Sequence, residues 1–237
     1  MATSGVATWQ LTRDEIINSS LRKLGILAEG DSANTSQLTT GAQALNSLMK
    51  MLEIKGMPLW AIREYTFTTV AGTNTYNIGT GQTLSVTMPL KVVQATRIES
   101  PTAVNIPMTI YTHYDFNMLP VTTTSGEPII LFYQPYINFG VIKVWPTPID
   151  SNTTITLTYQ RPFEDVVSGA DNIDFPSYWT DAIIYHLARR LAPEYGTSKE
   201  ERAMLASEAK DFTDEALSFG TEEGSMYMMP DWTGRTS

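Results

Sequence analysis

The chain contains no cysteine among its 237 residues. It therefore has no disulfides, no thiolate zinc site and no cysteine nucleophile. Histidine and charge are also scarce: there are two histidines, and charged residues make up 17% of the chain, below the usual quarter. Cysteine and histidine, which commonly bind metals or act in nucleophilic catalysis, are therefore absent or rare. These shortages fit a reducing compartment or a particle that needs no redox chemistry.

Basic residues are outnumbered by acidic ones. The chain has 16 Lys and Arg against 25 Asp and Glu, which gives a formal net charge of −9. Binding to duplex DNA draws on Lys and Arg to neutralise phosphates. The composition therefore argues against a dedicated nucleic-acid-binding protein, although an acidic wall suits a channel through which DNA slides.

Long apolar runs are absent as well. No stretch approaches the roughly 18 apolar residues that a membrane helix needs, and the first ten residues lack the apolar segment of a signal peptide. Hydrophobic residues still make up 42% of the chain. That is enough for one domain, or for one domain that carries a sizeable insert.

Four segments, two near each end of the chain, have apolar residues at spacings of three and four, which predicts four amphipathic helices. The stripes are Ile17, Leu21 and Leu24; Leu38, Ala42, Leu45, Met49 and Leu52; Trp179, Ala182, Ile183, Leu187 and Leu191; and Leu205, Ala209, Phe212, Ala216 and Phe219. Capping boxes at Thr12 and Ser198 mark the starts of the first and last helices. The simplest fold packs all four helices into one bundle.

Between residues 64 and 160 the apolar period changes to two. Tyr65 and Phe67 precede a turn at residues 71–74, and a second strand begins at Tyr76, which predicts a β-hairpin. Further strands are expected at residues 92–98, 129–133, 141–145 and 153–160, with a short helix at residues 114–119. Short strands separated by Gly, Pro and Asn predict an antiparallel β-sandwich or barrel.

The predicted fold class is therefore α+β: a four-helix bundle interrupted by an antiparallel β-sandwich or barrel insert, with an extended C-terminal tail. The expected boundaries follow Pro- and Gly-bearing connections. They are residues 1–60 for the first part of the bundle, 61–165 for the β insert, 166–220 for the second part of the bundle and 221–237 for the C-terminal arm.

The sequence offers little material for catalysis. His113 and His186 lack further metal ligands at set spacings, so both are expected to be structural or surface residues. No Gly-x-Ser-x-Gly elbow or P-loop is present, although a triad of distant residues stays open. Glu164 and Asp165 are adjacent carboxylates that a glycosidase would use, but a solvated loop is the simpler interpretation. The sequence predicts no enzyme, no catalytic residue, no metal site and no cofactor.

Aromatic residues are frequent in the predicted β insert. Two interpretations stay open. These residues form either a platform on which sugars stack, or packing contacts in the core and at subunit interfaces, because aromatic side chains pack well on strands. The residues concerned are Tyr111, Tyr133, Tyr136, Trp145 and Tyr159. We favour the packing interpretation.

The C-terminal arm is unusually apolar for a segment without helical or strand periodicity. It is expected to be disordered alone, and to become ordered when it enters a groove on a partner. Methionine and aromatic residues are enriched at protein interfaces. The predicted partner-binding residues are Met226, Tyr227, Met228, Met229, Pro230 and Trp232. The alternative is an end without function.

Several segments together carry a family resemblance. They are ALNSLMKML at residues 44–52, YTFTTV at 65–70, VWPTP at 144–148, LTYQRPFED at 157–165, DFPSYWTDAI at 174–183 and LARRLA at 187–192. In this order and spacing the chain resembles the head-to-tail adaptor proteins of short-tailed bacteriophages, also called head completion or packaged-DNA-stabilisation proteins.

The resemblance implies a virion protein at the head–tail junction, assembled in the host cytoplasm, that forms a twelvefold ring beneath the portal protein. Such a ring extends the DNA channel and docks the tail tube or nozzle. It implies that DNA passes without sequence-specific binding, that no membrane or cofactor is involved, and that the C-terminal segment contacts the portal. The alternative functions are a tail-associated peptidoglycan hydrolase and a sugar-binding module.

Overall fold

The structure is a computed structural model that describes residues 9–54, 59–99, 104–121 and 123–220. These residues form five α-helices, seven β-strands and two 3-10 turns, which confirms the α+β class. The helices are α1 Arg13–Lys23, α2 Thr35–Glu53, α3 His113–Asn117, α4 Thr180–Leu191 and α5 Lys199–Gly220. The strands are β1 Ile62–Thr68, β2 Thr75–Ile78, β3 Lys91–Glu99, β4 Val104–Tyr111, β5 Ile130–Pro135, β6 Gly140–Trp145 and β7 Thr154–Gln160. The 3-10 turns are Leu59–Ala61 and Ser177–Trp179.

Helices α1 and α2 begin at capping boxes. The Thr12 hydroxyl accepts a hydrogen bond from the backbone N–H of Glu15, whose carboxylate accepts one in return from the Thr12 N–H. These bonds lower the pKa of Glu15 below its ordinary value. Asn34 and Gln37 form the equivalent pair at the start of α2. Each box satisfies N–H groups that have no partner inside the helix.

Helix α4 is the centre of the helical part. It packs against α1, α2 and α5, and eight of its 12 residues are buried, so it has apolar contacts around most of its circumference. The structure does not show the expected four-helix bundle. One reason is that the segment 161–176, here called the strap, also supplies core side chains (Phe163, Val166, Ile173 and Phe175) to the helices.

The seven strands form one curled, mixed sheet, in the order β1-β7-β3-β4-β5-β6-β2. All neighbours are antiparallel except β4 and β5, which are parallel. The expected antiparallel sandwich or barrel is therefore corrected to a single mixed sheet that curls as a half-barrel around its own apolar core. That core is separate from the helical one, which includes Leu45, Ile183 and Leu187.

The predicted hairpin at the start of the sheet is wrong. Strand β1 pairs with β7 and β2 pairs with β6, so the two strands lie at opposite edges of the sheet. Only residues 69–74 connect them, and so short a connection spans at most about 25 Å. The sheet must therefore curl, and the rings of Phe67 and Tyr76 lie 5.2 Å apart.

The C-terminal turn of α2 is bonded to the start of the strap. The buried Glu53 side chain accepts the Phe163 N–H at 2.5 Å, and Gln160 donates to the Glu53 carbonyl at 3.2 Å. One turn earlier, the Lys50 ammonium donates to the Phe163 carbonyl at 2.6 Å. The Asn46 side chain donates to and accepts from the backbone of Val166, both at 3.0 Å. We call this set of contacts the α2–strap joint.

Gly41 permits the close approach of α1 and α2, and its replacement by alanine tests that packing. An added Cβ would lie 2.7 Å from Cγ2 of the fully buried Ile17. In an exposed helix this change would stabilise by about 1 kcal/mol. We expect Gly41→Ala instead to lower the free energy of unfolding by about 1–3 kcal/mol, because the core must shift. Chemical denaturation measures the change.

Gly126→Ala is the control for this substitution. Its added Cβ would make an ordinary contact at 3.5 Å with Pro146, and we expect a stability close to that of the unchanged protein. A Gly41→Ala protein as stable as the unchanged one would contradict the packing described here.

Candidate functional site

The partner-binding segment predicted from the sequence lies outside the described residues. The docking role of Met226, Tyr227, Met228, Met229, Pro230 and Trp232 therefore stays a prediction. The described residues offer two other exposed apolar surfaces: one on the short helix α3, and one at the end of α5, where the C-terminal arm begins.

Helix α3 is held against the sheet by ring contacts with Phe132 of β5. The Thr112 hydroxyl caps the helix by accepting from the Asp115 N–H at 3.2 Å. Phe116 then points inward, and its ring stacks on Phe132 of β5 with centroids 5.2 Å apart. Ile130 completes this small core. The other side of the helix is consequently turned toward solvent.

The outward side of α3 forms an apolar surface. Tyr114 is 72% exposed and Met118 is 65% exposed. With Tyr111 and Leu119 they line a depression of about 520 Å³, which Asp115 borders. We call these four apolar residues the α3 patch. Exposed methionine and aromatic side chains grouped in this way are typical of protein-docking surfaces.

A larger groove lies between the 3-10 turn before α4 and the last turns of α5. Its volume is about 670 Å³, and its lining residues are Tyr178, Asp181, Phe212, Glu215, Ala216, Ser218 and Phe219. Phe219 is 77% exposed, and its ring meets that of Tyr178 edge-on at 5.0 Å. We call this the terminal groove. Its apolar walls and two bordering carboxylates suit an uncharged, apolar segment.

Glu164 and Asp165, the carboxylates considered for glycoside hydrolysis, lie in the strap. Asp165 forms an ion pair with Lys50 at 3.1 Å, and the Glu164 N–H donates to Asp174 at 3.0 Å. Both residues therefore take part in holding the strap. Both residues are also exposed, as the solvated-loop interpretation expects.

Asp174 is the best-bonded carboxylate of the strap. Arg161 donates two hydrogen bonds to it, one of them at 2.8 Å, and the Glu164 N–H donates a third. Burial alone would raise the pKa of Asp174, but these hydrogen bonds and the positive charge of Arg161 bring the pKa below its ordinary value. The same pairing raises the pKa of Arg161.

The two histidines have structural surroundings. His186 is buried, and its Nε2 lies 2.8 Å from the Thr213 hydroxyl, which links α4 to α5. His113 is exposed, contacts Asn117 at 2.9 Å and meets the ring of Phe132 edge-on. This agrees with the expectation for both. Among the described residues no group of three His, Cys, Asp or Glu is placed to hold a metal ion.

The five aromatic residues proposed as a sugar platform are not gathered on one surface. Tyr159 is buried, which raises its pKa. Tyr133 donates from its hydroxyl to the Pro89 carbonyl, and burial raises its pKa to about 12. Tyr111 and Trp145 pack against the small core beneath α3, and Tyr136 stacks on Phe139. Packing therefore accounts for most of them.

Sequence reasoning predicted the helix α3 but missed its exposed face. The spacing of Tyr114 and Met118 could have indicated this face, because residues four apart lie on the same side of a helix. The terminal groove left no such signal, because its walls come from segments about 35 residues apart. None of the helices in the described ranges is long and apolar enough to cross a membrane.

Comparison with models of protein families gives a match over most of the chain. The family model described as SU10 adaptor protein matches residues 11–231. This range includes the helices, the whole sheet and most of the C-terminal arm. A comparison with curated proteins found no match.

The Asp174–Arg161 pair predicts how stability depends on pH. A carboxyl group whose pKa is lowered by folding adds stability above its unfolded pKa, near 3.9, and this stability is lost as the pH falls through the folded value. We expect Asp174→Asn to lower the free energy of unfolding at pH 7 by about 1–3 kcal/mol, because Arg161 loses the acceptor of a partly buried pair. The variant should also lose less of that free energy as the pH falls below the unfolded pKa of about 3.9. Denaturant titrations at neutral and acidic pH measure both effects.

The exposed Asp214 supplies the matched control for this pH experiment. Asp214→Asn should leave both the stability at pH 7 and the acid dependence close to those of the unchanged protein. Some acid dependence should remain in every variant, because the pKa values of Glu15 and Asp171 are lowered too. An Asp174→Asn protein with unchanged acid dependence would contradict the prediction.

Proposed function

The chain belongs to the SU10 adaptor protein family, whose members are structural head–tail adaptors of bacteriophages, and we propose that it forms a ring between the portal and the tail. The resemblance noted in the sequence is confirmed to the level of a phage head–tail adaptor, and so is the expectation that the chain is not an enzyme. The family match over residues 11–231 carries the proposal. Virion partners and a virion location follow from it.

The proposed ring extends the channel through which DNA passes. The net charge of −9 supports this role, because an acidic wall repels phosphates and does not retain the genome. The same charge makes copies repel one another, so contacts between them must be apolar or screened. We propose that the chain is monomeric at low concentration and assembles twelve copies on the portal.

Different parts of the chain are assigned different contacts. We assign the ring to the helical parts, residues 1–60 and 166–220, and the portal contact to the C-terminal arm, residues 221–237. The sheet, within residues 61–165, then meets the next tail component, such as a tail tube or nozzle protein. The exposed α3 patch supports this last assignment because it is the kind of apolar surface that protein partners cover.

The contacts of Glu164 and Asp165 do not support the hydrolase alternative. The Asp165 carboxylate is paired with Lys50 of α2, Glu164 contributes its backbone N–H to Asp174, and the family is structural. The sugar-binding alternative is not favoured either, since the proposed platform residues are spread over several packing environments.

The copy number in the virion tests the proposed ring. We expect quantitative mass spectrometry of purified virions to find one copy of this chain for each copy of the portal protein, because a ring that continues the portal shares its symmetry. Absence from the particle, or a clearly different ratio, would contradict the ring.

The α3 patch generates a second test. The double substitution Tyr114→Ser, Met118→Ser removes most of its exposed apolar surface, and we expect particles that carry this chain but lack the next tail component. Electron microscopy and the protein composition of the particles measure this. Ile137→Ser, at a 97% exposed apolar residue in the turn between β5 and β6, is the control. Complete tails in the double variant would refute the docking assignment.

A further inference from the structure

The terminal groove lies where the described chain ends. Phe219 forms one of its walls, and Gly220 is the last residue of α5. The next 17 residues of the sequence, 221–237, therefore start at the rim of the groove. Any segment close behind Gly220 has a high local concentration there, because the chain tethers it.

The composition of the arm matches the groove. Residues 224–230 read GSMYMMP and carry no charge, whereas the acidic Glu222 and Glu223 come before them. An uncharged segment can approach Asp181 and Glu215 at the groove without burying like charges together. Methionine is unbranched and flexible, and it fills irregular apolar spaces well.

The length of the chain also permits the contact. Met226 lies six residues after Gly220, and six residues reach at most about 20 Å. Gly220 and Gly224 allow the backbone to reverse, because glycine adopts conformations closed to other residues. A groove of about 670 Å³ is of the size that holds several large side chains.

We propose that the terminal groove binds the chain's own C-terminal arm, with residues 226–229 packed against Tyr178 and Phe219 in the free subunit. The contact is intramolecular and covers the most exposed apolar part of α5. It does not depend on the ring. The proposed function adds one consequence. If the arm also binds the portal, the portal must displace it from the groove, and only this step depends on the proposed function.

Limited proteolysis of the full chain tests the contact. Chymotrypsin cleaves after exposed tyrosine, so its rate of cleavage after Tyr227 reports how often the arm leaves the groove. We expect Phe219→Ser and Tyr178→Ser each to accelerate this cleavage about tenfold, because either change removes an apolar wall. Because the rings of Tyr178 and Phe219 touch, cleavage after Phe212 within α5 is measured in parallel, and it should stay unchanged in both variants if the helix does not fray. Mass spectrometry of the released peptide measures the rate.

Met204→Ser is the matched control. Met204 is a 61% exposed apolar residue of the same helix, and it does not line the groove. We expect no acceleration in this variant, and rates that do not change with protein concentration. Equal cleavage in the unchanged protein and the groove variants would overturn the proposal. Protection that grows with protein concentration would overturn it too, by showing that a second copy fills the groove. Thermal unfolding followed by circular dichroism confirms that each variant is folded, and neither result depends on the portal.

Discussion

The buried carboxylate of Glu53 joins the two parts of this molecule. It accepts the N–H of Phe163, the residue at which the chain has just left the sheet, while the ammonium of Lys50 lies 3.8 Å away. A buried charge is tolerable only where it is paired and hydrogen-bonded, so α2, the strap and the end of β7 have to adopt their positions together. The orientation of the sheet relative to the helices depends on this contact. In the proposed assembly, it relates the ring to the surface that meets the tail.

Local sequence signals identified the helices of this fold well. The caps at Thr12 and Ser198 precede α1 and α5 as expected, because a cap is a local bond between neighbouring residues. Strand β4 was not among the predicted strands, and it contains Pro107, a residue that is unusual within a sheet. Thr109 donates its N–H toward β5, so the nitrogen of Pro107, two residues earlier, faces the same side. Since β5 joins β4 only from Thr109 onward, the missing N–H of proline interrupts no ladder.

Long-range arrangement could not be predicted in the same way. Alternation of apolar residues identified β1 and β2 as strands, but it carries no information on partners, and the nearest strand in sequence was not the neighbour in space. The strap was taken for a boundary loop, because its core residues Phe163, Val166, Ile173 and Phe175 have no regular spacing. The docking surfaces depend on the same arrangement. Tyr178 and Phe219 meet only because α5 turns back along α4.

The pairing of β1 with β7 sets an order of events during synthesis. Thr66 of β1 lies opposite Thr156 of β7, 90 residues later in the chain. At ribosomal rates of about 5–20 residues per second, the first strand waits roughly 5–20 seconds for its partner. Throughout that interval Tyr65 and Phe67 have no sheet to join, and α1 and α2 lack the central helix. The nascent chain is therefore most exposed to aggregation, and most dependent on host chaperones, just before its last strand emerges.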